Sequence, residues 1–156
     1  MAYEAPLVGV LVGSSSDEPL IAPVFETLES YGISYEYNVI SAHRKPDKLT
    51  EYVKAVKGRG LKVMIAAAGG AAALPGAVAA LTTLPVIGVP LPSSEMKGVD
   101  SLHAIVQMPP GIPVGCVAIG EWGARNAAHM AAEIIALWDE KVAAAVETYR
   151  DRLHSA

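Results

Sequence analysis

Covalent and redox chemistry have little to work with in this chain, which has one cysteine, Cys116, in 156 residues. No intrachain disulfide can form, and a reducing compartment, the cytoplasm, is the expected setting. Cys116 lies in the apolar stretch Ile112 to Ile119, where a thiol more often packs as a small hydrophobe than attacks. Aromatics make up 6% of the chain and include a single phenylalanine, so no stacking platform for bases is available. Basic residues are outnumbered, and the formal net charge of -4 excludes a broad electrostatic grip on nucleic acid. The amino terminus lacks the basic and apolar segments of a secretory signal, and no uninterrupted apolar run reaches membrane-spanning length. Neither nucleic acid nor membrane is therefore an expected partner, and any anion must be held by a local site. Two glycine-rich phosphate signatures are also missing, the Walker spacing and Gly-x-Gly-x-x-Gly.

What remains is aliphatic: 52% of residues are hydrophobic and 18% charged. That composition and length suit a single domain over residues 1–156, with a core at about 7–137 and a C-terminal helical segment at about 139–154. Short apolar runs alternate with segments of helical spacing. Leu7 to Val12 reads as a first strand, followed by a helix that begins near Asp17 to Pro19 and closes at Tyr31-Gly32. Tyr35 to Ile40 reads as a strand, Pro46 to Lys57 as a helix, Lys62 to Ala67 as a strand and Ala72 to Leu81 as a short helix. Pro85 to Val89 is a fourth strand, Pro90 to Gly98 an irregular passage, and Val99 to Val106 a short helical turn. Val114 to Ile119 is a fifth strand, and helices follow from about Ala124 to Leu137 and Asp139 to Leu153. Strands joined by helices predict an α/β three-layer sandwich, a parallel five-stranded sheet of order 2-1-3-4-5 with right-handed crossovers. The helix after Gly123 carries Ala124, Ala127, Ala128, Ala131, Ala132 and Ala136. That small face suits either packing on the chain's own sheet or a subunit interface.

In such a fold ligands bind beyond the carboxyl ends of the strands. Gly13-Ser14-Ser15-Ser16-Asp17 offers a turn, hydroxyls and the unpaired N–H groups of a helix start, enough to hold a phosphate, with Asp17 free to accept from ribose hydroxyls. The plain alternative is N-capping. Ser41-Ala42-His43-Arg44 sets an imidazole that titrates near neutral pH beside a guanidinium that can fork onto phosphate. Its alternatives are a solvated histidine and a surface ion pair. The third loop, Ala66 to Gly76, is almost bare of side-chain function, so the backbone at Gly69 and Gly70 can approach a flat ring or a small neutral molecule; close packing of strand on helix explains it equally. The run from Gly98-Val99-Asp100-Ser101-Leu102 through Gln107-Met108-Pro109-Pro110-Gly111-Ile112-Pro113-Val114-Gly115 reads by composition only as a loop that could wall a pocket.

Taken in order, these motifs resemble the class I N5-carboxyaminoimidazole ribonucleotide mutases, the family also called the catalytic subunit of phosphoribosylaminoimidazole carboxylase. The likeness runs from Val8 to about Leu137. The resemblance implies a flavodoxin-like homo-octamer acting in purine biosynthesis as an isomerase on a small ribonucleotide, with neither metal nor organic cofactor. It implies that Ser14, Asp17 and Arg44 bind the phosphoribosyl group, that Ser41, Gly69 and Gly70 also bind substrate, and that His43 transfers protons. One position departs. Where class I members usually read Ala-Ala-His-Leu-Pro-Gly, this chain reads Ala71-Ala72-Ala73-Leu74-Pro75-Gly76, so a second site histidine is absent. His103 and His129 do not fall at that motif position. The mutase is the preferred reading; direct carboxylation of aminoimidazole ribonucleotide and a noncatalytic nucleotide-binding protein are its alternatives.

Overall fold

The computed structural model describes residues 5–155, and its five strands pair in the order β2-β1-β3-β4-β5, all parallel. They are β1 (Val8–Val12), β2 (Tyr35–Val39), β3 (Val63–Gly69), β4 (Val86–Leu91) and β5 (Gly115–Cys116). Between them run α1 (Glu18–Ser30), α2 (Pro46–Val56), α3 (Ala73–Ala79) and α4 (Val99–Val106), and the chain ends in α5 (Glu121–Ile135) and α6 (Glu140–Ser155). This is the flavodoxin-like sandwich that the alternating pattern predicts.

The central strands read as unbroken apolar runs because helices cover both faces of the sheet. The two-residue period of a strand sends alternate side chains to opposite layers. Val8, Val10 and Val12, with Val63, Ile65 and Ala67, pack under α1 and α5; Leu11, Met64 and Ala66 pack under α2, α3 and α4. Of the α5 alanines, Ala124, Ala127, Ala128, Ala131 and Ala132 are completely buried in the first layer, so that stretch of small face is used within the chain, while Ala136 is only partly buried. Helix α6 docks alongside through Val142, Val146 and Tyr149. There the Tyr31 hydroxyl lies 2.8 Å from His129 Nδ1, with the Tyr149 ring packed on the imidazole. Burial pushes the pKa of His129 down.

Three strands end away from expectation. Strand β4 runs on through Pro90 to Leu91 and β3 runs on to Gly69, because the two continue to pair, Ala68 with Pro90 and Gly69 with Leu91. The β5 ladder reaches only Ile87 and Gly88, so the N–H that Pro90 lacks costs no ladder bond, while the Pro90 carbonyl accepts from the Gly120 N–H at 2.8 Å. Strand β5 keeps just two residues. The first turn of α5 presses Gly123 so close to the Ala118 carbonyl that a Cβ would lie 1.6 Å from its oxygen. The chain turns there into α5, which starts at Glu121, before Ala124, while Val117 still donates its N–H to the Gly88 carbonyl of β4 at 3.1 Å.

Chain order reverses about β1, which pairs with β2 on one side and β3 on the other. The carboxyl ends of these strands diverge into loops on opposite faces, leaving a crevice at the switch point.

Candidate functional site

Loops from the ends of β1, β2, β3 and β4 enclose a cavity of about 320 Å³ at that crevice. In the first loop, Ser14 caps a 3-10 turn over Ser15–Asp17: its Oγ accepts from the Ser16 N–H at 3.3 Å and lies 2.8 Å from Ser16 Oγ. The capping role is therefore real for Ser14. Asp17 is different. It occupies the N-cap place of α1 but makes no side-chain capping bond, although it is only 7% exposed. Burial pushes its carboxyl pKa up, an effect the Ser14 backbone N–H partly offsets. A carboxylate so placed, with no ion pair among the described residues, is an acceptor waiting for donors such as sugar hydroxyls.

The second loop is tied to β1 by the Ile40 N–H to the Val12 carbonyl, 2.9 Å. Ser41 folds the turn twice over, its carbonyl accepting from Lys45 N–H at 2.9 Å and its Oγ from Arg44 N–H at 3.2 Å. His43 and Arg44 are thereby held exposed at the cavity. Arg44 makes no ion pair among the described residues, so its guanidinium is free to take an anion.

The third loop supplies shape. Ala68, Gly69, Ala72, Ala73 and Leu74 line the cavity, and none bears a polar side-chain atom. Gly70 is not among the lining residues; it turns the chain at φ 60°, and Ala72 follows at φ 41°. A non-glycine residue there costs on the order of 1 kcal/mol, offset in part by the Ala72 N–H bond to the Gly69 carbonyl, 3.1 Å.

Ser93, beyond the end of β4, also lines the cavity, and the sequence reading missed it. A strand expected to stop at Val89 leaves Ser93 in mid-loop; the true end at Leu91 puts it at the sheet edge. The first turn of α4, which follows Gly98 and lies within the helical turn expected from Val99, anchors this segment. Ser101, fully buried, donates to the carbonyls of Leu91 and Gly98, each at 3.0 Å. Ser94 donates to Asp100 Oδ2 at 2.5 Å, which holds the Asp100 carboxyl below its ordinary pKa. Ser16 is the other lining hydroxyl that the sequence reading did not single out.

Of the sequence candidates, Ser14, Asp17, Ser41, His43, Arg44 and Gly69 thus converge on one cavity. His103 and His129 lie outside it, as does Cys116, whose thiol pKa burial pushes up. A larger groove of about 890 Å³ elsewhere on the molecule is lined mainly by apolar residues and holds none of these candidates. Among the described residues, no three His, Cys, Asp or Glu side chains are grouped to hold a metal ion.

The family described as AIR carboxylase matches residues 7–156. The N5-carboxyaminoimidazole ribonucleotide mutase of Vibrio parahaemolyticus is 53% identical over 144 residues, which span 92% of this chain and 89% of that protein. The protein of the same name from Thermotoga maritima is 49% identical over 148 residues, 95% of this chain and 85% of its own. The crystal structure of Treponema denticola PurE superposes with a TM-score of 0.87 at 31% identity, covering 96% of this chain and 92% of that one. Sequence and fold agree, and the chain belongs to the AIR carboxylase family.

Proposed function

We propose that this chain is an N5-carboxyaminoimidazole ribonucleotide mutase of the class I type, an isomerase of purine biosynthesis that moves a carboxylate from the exocyclic N5 to ring carbon C4. The observation that carries the reading is the meeting of Ser14, Asp17, Ser41, His43 and Arg44, from two loops distant in sequence, at one cavity whose far wall is bare. Close identity to mutases over nearly the whole chain supports it.

In this reading Arg44 and the hydroxyls of Ser14 and Ser41 bind the phosphate, and Asp17 accepts from the ribose hydroxyls. Protonated His43 gives its proton to N5 as the N5–carboxylate bond breaks, leaving carbon dioxide and aminoimidazole ribonucleotide. C4 then attacks the trapped carbon dioxide, and neutral His43 removes the C4 proton to restore the ring. The proton count closes on each turnover. Confinement raises the chance of recapture, because an escaped molecule must find C4 again from solution.

Direct carboxylation of aminoimidazole ribonucleotide is the second reading, favoured by alanine at position 73, where class I members usually carry histidine. The protein assembles as a homo-octamer in the cytoplasm; exposed Trp122 and Trp138, 79% and 52% accessible, support burial between subunits. Among the described residues no helix is long and apolar enough to cross a membrane.

The test is to incubate purified protein separately with N5-carboxyaminoimidazole ribonucleotide and with aminoimidazole ribonucleotide plus bicarbonate. The mutase forms 4-carboxy-5-aminoimidazole ribonucleotide efficiently from the first. Product from the second mixture alone establishes the carboxylase instead, and no product from either establishes a noncatalytic binder.

A further inference from the structure

The strand order places the two ends of the cavity apart. Strands β2 and β4 are separated by three spacings in the sheet, about 14 Å. A nucleotide gripped by its phosphate at the β1 and β2 loops therefore lies across the strand ends with its base over β3 and β4. At that end Ala68, Gly69, Ala72, Ala73 and Leu74 offer no side-chain hydrogen bond, and Ser93 carries the only hydroxyl.

The chain also aims this hydroxyl. A Cβ on Gly69 would lie 1.7 Å from Ser93 Oγ, so Ser93 occupies the space that any larger residue at position 69 would fill. Ser94 and Ser101 spend their hydroxyls on Asp100 and on the carbonyls of Leu91 and Gly98, which fixes the backbone on either side of the loop. Ser93 Oγ has no partner among the described residues. Ser93 is exposed in the ligand-free protein, so a hydroxyl that only water pairs stands at the bare end of the binding cavity, on an anchored loop, free to exchange that water for a ligand acceptor.

We propose that Ser93 is a further substrate-positioning residue, which donates a hydrogen bond to the carboxylate on the base and so sets where the carboxyl group rests beside C4. This rests on the mutase reading. His43 approaches the reacting atoms from the β2 side and Ser93 from the β4 side, so the group being moved is bracketed. No bond to Ser93 forms or breaks, and its proton stays on oxygen.

Calorimetric titration of the full-length wild type, Ser93→Ala and Ser93→Thr with three ligands tests this. The ligands are 4-carboxy-5-aminoimidazole ribonucleotide, aminoimidazole ribonucleotide and ribose 5-phosphate, which successively lose the carboxylate and the base. Ser93→Ala should weaken the carboxylated nucleotide about tenfold, the loss of one charge-assisted bond, and leave the other two within twofold. Ser93→Thr, which keeps a hydroxyl, should restore most of the difference. Equal affinity of Ser93→Ala and wild type for the carboxylated ligand overturns the assignment, as does a parallel loss for ribose 5-phosphate, which would mean the loop merely shapes the cavity. Turnover of the wild type, measured alongside, separates the two claims. An inactive wild type that ignores both nucleotides removes the mutase reading and Ser93's role with it, whereas an active wild type with an indifferent Ser93→Ala removes Ser93's role alone.

Discussion

The β1–β2 end of the cavity is dense in function and the β3–β4 end is nearly empty of it. One end offers Ser14, Ser16, Asp17, Ser41, His43 and Arg44; the other offers small aliphatic surface and Ser93. The contrast follows from what each end would hold. A phosphate and a sugar present charge and hydroxyls that must be paired when water is removed. A planar base and a neutral, linear gas molecule ask for a close, dry fit, which Ala and Gly supply by letting the main chain approach. On the proposed function, the first end selects and anchors, and the second confines.

If this division is right, the largest effect should come from the polar end. His43→Asn keeps the size and hydrogen bonding of the ring edge but has no transferable proton. Turnover should fall by about 10² to 10⁴ while ribonucleotide affinity stays within a few-fold; near-normal turnover would show that the proton travels another way. Ala73→His tests the bare end. Ala73 opens α3 and lines the cavity, so an imidazole there would project into it. If the alanine is a simple loss, mutase turnover rises severalfold, to about tenfold at most; no gain or a collapse would mean that the pocket has been rebuilt around alanine and that emptiness at this end is itself required.

Asp17→Asn should have the smallest effect, and it is read on the ligand-free protein. Burial raises the folded-state pKa of Asp17 above its unfolded value of 3.8. Between those two values the folded chain holds a proton that the unfolded chain has released, so wild-type stability declines as pH rises through that window. The loss is complete above the folded pKa and absent below 3.8. Asparagine escapes it. The variant should melt about 1–3 °C higher than wild type at neutral pH, with the gap closing in acid, while ribonucleotide binding weakens. An unchanged or lower melting point at neutral pH would show that the carboxylate is stabilised in place by groups other than its burial.

Much of the fold is written locally, which is why it can be read from residues alone. Pro46 opens α2, Val99 to Val106 is helical within the bounds its spacing suggests, and the buried apolar run Val8 to Val12 announces a central strand. The failures are all tertiary. Nothing near Pro90 says that the β5 ladder will stop at Gly88, and nothing near Val117 says that α5 will start so soon after it. The site divides in the same way. His43, Arg44 and Asp17 carry chemistry that draws attention wherever it stands at a strand end. Ser93 is an ordinary serine until the length of β4 and the hollow at Gly69 give it an address.

That hollow also constrains how the protein can change over generations. Replacing Gly69 by alanine puts its new methyl 1.7 Å from Ser93 Oγ and 3.0 Å from Ser93 Cβ. Turning the Ser93 hydroxyl to another rotamer relieves only the first of these, since the Ser93 Cβ and the Leu91 carbonyl, 3.2 Å away, still crowd the methyl. A side chain at 69 is therefore accommodated only if the end of β4 shifts as well. Change at 69 should be inherited together with change at the β4 end.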